Sequence, residues 1–300
     1  MSPAVEVTLA QFLQEQRALV DQELERLLPR ADEYPVTIHR AMRHSVFAGG
    51  KRLRPVLCLE VGRLASGEEK PLRRVAAALE LIHTYSLIHD DLPALDNDDL
   101  RRGQPTCHRV FGEAMAILAG DALLTLALHA LAEPGLCLAE RQLRMISDLT
   151  RAIGTPGGMV AGQVADLEAA NGAADAEALE FIHRAKTGAF IAASLRAGAL
   201  VAGAAEADLD ALAVYGEKIG LAFQIADDLL DVSGTSAELG KTPGKDDRQR
   251  KATYPGRYGI ETSRRRAASL VREATAALER FGARAQRLRE MAQYLIERTA

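Results

Sequence analysis

HDDLPALDNDDLRRGQPTCH, residues His89 to His108, is the stretch from which the rest of the chain is read. Asp90, Asp91, Asp96, Asp98 and Asp99, then Arg101 and Arg102, fall within thirteen residues, and Pro93 breaks the helix leading in. Two unit charges about 4 Å apart repel by roughly 4 kcal/mol at an effective dielectric of 20. These carboxylates therefore need water or cations around them. A second cluster, Gln224-Ile-Ala-Asp227-Asp228-Leu-Leu-Asp231, follows more than a hundred residues later. The reading turns on whether the two clusters meet.

Working outward, apolar residues recur at helical spacing along nearly the whole chain. Helices are expected at about Leu9 to Leu28, Val36 to Phe47, Pro55 to Leu64, Leu72 to Asp91, Gly112 to Ala132 and Leu138 to Ile153. Met159 to Ala169, Ala176 to Lys186, Gly188 to Ala204, Asp208 to Val232, Ile260 to Phe281 and Ala283 to Arg298 continue the series. Gly49-Gly50, Pro134-Gly135 and Gly154-Thr155-Pro156-Gly157-Gly158 separate them. Residues from about Ser233 to Arg257 form one long irregular, charged stretch. No alternating strand pattern occurs, so the class is all-α. No linker composition divides the chain, and residues 1–300 read as a single domain.

Composition excludes several functions. A net charge of -4 offers no basic field for nucleic acid. Cys58, Cys107 and Cys137 share no metal-type spacing and suit a reducing compartment, so a cytoplasmic location is expected. The first thirty residues show no signal-peptide pattern. Gly188 to Ala205 is Ala/Gly-rich and carries Arg196, which marks a packed core helix and no stable membrane insertion.

Helical spacing gives the clusters geometry. His83, Ser86 and Asp90 share one face of their helix; Gln224, Asp228 and Asp231 form a row, with Asp227 four residues before Asp231. The second set lies among Ile225, Leu229 and Leu230, residues that belong in a core. A solvated acidic loop is the plainer account of the first cluster. Magnesium is the cation matched to carboxylate-only sites, and it completes its shell with water and phosphate oxygens. Basic patches at Lys51 and Arg54, Arg101 and Arg102, Lys186 with Thr187, and Lys241, Lys245 and Lys251 then imply a phosphate-bearing substrate. No Walker loop is present.

SLIHDDLPALDNDDLRRG (86–103) resembles the first aspartate-rich motif of trans-prenyl diphosphate synthases. GGKRLRP (49–55), HRAKTGAF (183–190) and GLAFQIADDLLDV (220–232) are similar to three further motifs of that family, in the right order. The pattern is closest to the bacterial farnesyl diphosphate synthases. The resemblance implies a bundle of about ten or more helices around a deep cavity, the acidic motifs facing each other across its mouth. It also implies three Mg²⁺ ions bridging an allylic diphosphate to Asp90, Asp96, Asp227 and Asp231, with Asp91 and Asp228 as ligands or supports. Carried over motif by motif, Arg101, Lys186, Thr187, Gln224 and Lys241 belong to the allylic substrate, and Lys51, Arg54, His83 and Arg102 to isopentenyl diphosphate. Asp98 and Asp99 fit a solvated loop or an N-cap.

The family chemistry is condensation of isopentenyl diphosphate with dimethylallyl or geranyl diphosphate through an allylic cation, releasing pyrophosphate, which takes up the lost proton. Five helical residues below Asp90, about 7.5 Å at 1.5 Å per residue, stands Tyr85. An aromatic floor there, with Pro93-Ala94 inside the motif, is the family pattern for a C15 product; a C20 product is the alternative. Residues 233–251 form a candidate lid. The Ala/Gly-rich helices and the family's habit point to a homodimer. An all-α HD-type phosphohydrolase would leave GGKRLRP and the second acidic helix without a role, and a non-catalytic partner subunit should have lost motif carboxylates.

Overall fold

The computed structural model describes residues 8–169, 175–233 and 253–297. Helices dominate, as the periodicity predicts. The first, α1 (Leu9–Leu27), opens on a capping box: Thr8 Oγ1 accepts from the Gln11 N–H and the Gln11 side chain accepts from the Thr8 N–H. Two donors of the first turn are thereby satisfied. α2 (Val36–Val46) and α3 (Leu53–Leu64) flank the Gly49-Gly50 break, with Pro55 in the first turn of α3. α4 (Glu69–Asp90) begins earlier than the expected Leu72. Pro71 lies inside its first turn, where no N–H is needed for the helix ladder.

Leu100–Arg101 (β1) and Gln104–Pro105 (β2) pair antiparallel, a small hairpin absent from the all-α expectation. The chain reverses through Arg102 and Gly103, both at positive φ, as a two-residue hairpin turn requires. Next come α5 (Cys107–Phe111), too short to show a period, α6 (Glu113–Ala132), α7 (Ala139–Ile153), α8 (Met159–Ala169) and α9 (Ala176–Ile182). His183–Gly188 is a π-helix that leads directly into α10 (Ala189–Val201). The break expected after Lys186 is therefore a widened turn within one rod.

α11 (Glu206–Ser233) carries the second acidic cluster. Beyond it, Tyr254–Tyr258 forms the short helix α12, inside the stretch expected to be irregular. α13 (Ile260–Ala277), a 3₁₀ segment (Glu279–Ala285) turned at Gly282, and α14 (Gln286–Glu297) complete the described chain.

α10 lies at the centre, packed on α3, α7 and α11, with Phe190, Ile191, Leu195 and Leu200 buried. The reading of this Ala/Gly-rich segment as a core helix holds. That burial also removes it as an interface between copies. α4 packs on α6 and α3, and α11 on α13 and α10. α6 is the one helix among the described residues long and apolar enough to cross a membrane. One side of it, with Ala116, Ala119, Leu123 and Ala127, is core, while Ile117 and Leu118 are exposed.

Candidate active site

A cavity of about 780 Å³ opens between the start of α3, the C-terminal half of α4, the hairpin, α8, the π-helix and α11. Its wall gathers Lys51, Arg54, His83, Tyr85, Asp90, Arg101, Arg102, Lys186, Thr187, Gln224 and Asp227. The two acidic clusters thus contribute Asp90 and Asp227 to one space. Lys241, Lys245, Lys251 and most of the candidate lid lie outside the described residues.

One end is basic. Gly50 has φ +125°, a conformation that favours glycine, and packs against the Arg102 guanidinium. Arg102 also donates to the Gly49 carbonyl. Arg52, at φ 51°, turns inward and donates to Glu80 (2.7 Å), Asp21 (2.9 Å) and the Val46 carbonyl (2.7 Å). This buried pair fixes the turn from which Lys51 and Arg54 project. Arg54 lies over the Phe190 ring, 5.2 Å from its centroid, and burial pushes its guanidinium down to about 10 despite Glu80 and Asp227. Burial also lowers Arg102. His83 is held well below the ordinary histidine value by burial and then by Arg54 and Arg102, so it is neutral at pH 7. Crowded, desolvated cations of this kind are relieved by an anion such as a diphosphate.

The acidic side behaves inversely. Burial first, then the nearby Asp96 and Asp91, raise Asp90 to about 6, against the pull of Lys186 and Arg101. Asp91 stands behind the wall, bound by the Arg101 guanidinium. Asp98 pairs with the same guanidinium at 3.3 Å, which corrects the expectation that it is solvated: the hairpin folds Arg101 back over both carboxylates. Asp99 does face solvent, paired with Arg109 at 3.2 Å. Asp96 and Asp231 are not on the cavity wall; the Asp96 N–H donates to the Asp90 carbonyl at 2.8 Å, which keeps the motif loop wound against α4.

Lys186 and Thr187 come from the π-helix, whose widened turn sets successive side chains toward α8 and α11. Lys186 Nζ donates to Asp166 on α8 at 2.6 Å. Thr187 Oγ1 donates to Gln224 Oε1 at 2.7 Å, and Gln224 Nε2 is 3.5 Å from Asp228 Oδ1. The other Asp228 oxygen accepts from the Tyr254 N–H at 2.9 Å and stands 3.3 Å from His183 Nε2, whose ring stacks on Tyr254. With both oxygens held by protein groups, Asp228 has the geometry of a support, and so does Asp91. Tyr85 lines the cavity on α4, edge-on to His89 with ring centroids 5.8 Å apart.

Among the described residues, no three His, Cys, Asp or Glu side chains converge into a ready-made cage. The donor set still fits magnesium: Asp90 and Asp227 offer oxygen alone, and a half-buried carboxylate raised to about 6 is relieved by a cation. Sequence reasoning missed Arg52, Glu80, Gln163, Asp166, His183 and Tyr254. Glu80 did carry a signal, as a charge within the apolar run Ala76 to Ile82. Asp166 and Tyr254 carried none, since their partners are remote in sequence.

A helical bundle enclosing a cavity with carboxylates on one side and desolvated cations on the other defines a class of diphosphate-processing enzymes. The chain belongs to the polyprenyl synthetase family, whose sequence model matches residues 35–294, and it is a trans-prenyl synthase. It is 47% identical to a dimethylallyltranstransferase of Fischerella ambigua (strain UTEX 1903), over 97% of this chain and 84% of that protein. It is 44% identical to a geranylgeranyl diphosphate synthase of Cyanophora paradoxa, over 97% and 96% of the two chains. A crystal structure of a geranyltransferase from Legionella pneumophila superposes with a TM-score of 0.86 at 36% identity, covering 97% of this chain and 98% of that one. Family members join isopentenyl diphosphate to allylic diphosphates.

Proposed function

We propose that this chain makes farnesyl diphosphate, extending dimethylallyl and geranyl diphosphate by isopentenyl units. The observation that supports the C15 product is Tyr85, which lines the cavity from α4, five residues before Asp90. A C20 product is the second reading, favoured by the geranylgeranyl diphosphate synthase of Cyanophora paradoxa at 44% identity.

Lys51, Arg54 and Arg102 would hold the isopentenyl diphosphate, with neutral His83 donating one hydrogen bond. Asp90 and Asp227, with Asp96 and Asp231 near them in sequence, would hold Mg²⁺. An ion held there would supply charge that neutralises the allylic diphosphate and makes pyrophosphate a better leaving group. Lys186 and Arg101 orient that diphosphate and compensate the charge gathering on it. Thr187 and Gln224, linked at 2.7 Å, present dipoles to the allylic end. None of these is a strong nucleophile that would trap the cation. The departing pyrophosphate takes the proton lost from the adduct; water must be kept from the cation, and Val160, Val164, Leu167 and Leu230 supply apolar lining beside it.

The same reading has two copies joined through the exposed apolar side of α6, around Ile117 and Leu118, in the cytoplasm as one domain. The deciding experiment incubates purified protein with Mg²⁺, dimethylallyl diphosphate and isopentenyl diphosphate, then measures chain length after dephosphorylation. C15 alcohol supports the reading, and a predominant C20 alcohol replaces it. Asp90→Ala and Asp227→Ala should each abolish turnover with helix content intact; full activity in either would refute the assignment.

A further inference from the structure

Gln163 on α8 lines the cavity, yet both its amide oxygen and its amide nitrogen are shielded from solvent and lack a protein hydrogen-bond partner. Leaving such a group unpaired costs about 1–3 kcal/mol. A leucine or methionine would fill the space without that loss.

Its placement is closely determined. A Cβ on Gly162 would come within 2.2 Å of the Lys186 backbone nitrogen, so α8 rests directly on the π-helix with no side chain between. Asp166, one turn further along, grips Lys186 Nζ at 2.6 Å. Gln163 lies between these two anchors, next to the group assigned to the allylic diphosphate. The other α8 residues on the cavity wall beyond Met159, namely Val160, Val164 and Leu167, are apolar too.

We propose that the Gln163 side-chain carbonyl stabilises the positive charge that develops on the allylic carbons, a role that rests on the prenyl-synthase reading above. A prenyl chain offers an amide no hydrogen bond in its ground state. When the C1–O bond breaks and its electron pair leaves with pyrophosphate, the charge spread over C1 and C3 is what pairs with a carbonyl dipole in an apolar wall. The interaction then exists in the transition state and hardly in the ground state, so it acts on kcat. A neutral amide is also too weak a nucleophile to capture the cation.

Three variants test this: Gln163→Met removes the dipole at nearly constant volume, Gln163→Leu does so with less chain, and Gln163→Glu keeps an oxygen while removing the amide donor. Expected for Gln163→Met and Gln163→Leu is an unchanged or raised Tm, a kcat about 10- to 100-fold lower, and KM values for both diphosphates within about twofold. Gln163→Glu should retain more kcat than Gln163→Met. Wild-type kcat in Gln163→Met would overturn the proposal. So would a loss confined to the allylic KM and shared by Gln163→Glu, which would make the amide nitrogen a diphosphate ligand. A lowered Tm with reduced kcat in both apolar variants would assign a packing role and also overturn it. Failure of the prenyl-synthase reading is separately visible, since wild-type protein would then release no pyrophosphate with both substrates present.

Discussion

Asp166 on α8 holds the ammonium of Lys186, a cavity-wall residue on the π-helix, at 2.6 Å. The pair holds a flexible four-carbon side chain at the cavity wall without neutralising the site, because Asp90 also feels the Lys186 charge; on the proposed function it is thereby aimed at the allylic diphosphate. Asp166→Asn should lower kcat/KM for the allylic substrate by about 10-fold, the size of one oriented charge-assisted contact. KM for isopentenyl diphosphate should stay unchanged in steady-state assays with each substrate varied in turn.

Arg52 and Glu80 form an ion pair in which each side chain is only 1% exposed. Removing one partner from such a pair strands a buried charge at a cost of about 3–5 kcal/mol. Glu80→Ala should therefore lower Tm by several degrees. In the fraction still folded, KM for isopentenyl diphosphate should rise, since the turn carrying Lys51 and Arg54 loses its anchor. Thermal unfolding and kinetics at reduced temperature separate the two effects.

Tyr85→Ala removes the ring that stands edge-on to His89 at the cavity wall. Products of C20 or longer are expected from the same substrates. An unaltered product spectrum by mass spectrometry would show that the wall elsewhere stops the chain.

Asp90 is raised to about 6 from an ordinary value of 3.8. Between those values the folded protein binds more protons at this site than the unfolded chain, so the contribution to stability falls as pH rises through that window. Metal-free protein should accordingly gain stability from this group on acidification from pH 7 to 5. Asp90→Asn should raise the metal-free Tm at pH 7.5 by a few degrees and flatten the pH dependence, readable by scanning calorimetry with chelator present.

Ile117 and Leu118 stand exposed on α6, whose other side is core. Ile117→Lys with Leu118→Lys should convert a dimer to a monomer in light scattering, with little change in helix content.

The all-α class, the order of the helices and the concentration of carboxylates in two clusters were legible in the sequence, because helical period and local charge density are properties of neighbouring residues. Leu100–Pro105 was not, since a two-residue ladder has no period. Asp98 was misread for a related reason: its partner Arg101 reaches it only after the hairpin reverses at Arg102 and Gly103. Only the tertiary structure decided which carboxylates face the cavity. Asp90 and Asp91 are adjacent in sequence, yet Asp90 lines the cavity and Asp91 is tied to Arg101 behind it. Asp227 and Asp228 divide in the same way, with Asp228 taken up by His183 and Tyr254. Consecutive residues on a helix point about 100° apart, so each doublet offers one oxygen donor to a ligand and one to the fold. Which is which depends on partners 10 to 45 positions away, and those meet only when the bundle closes.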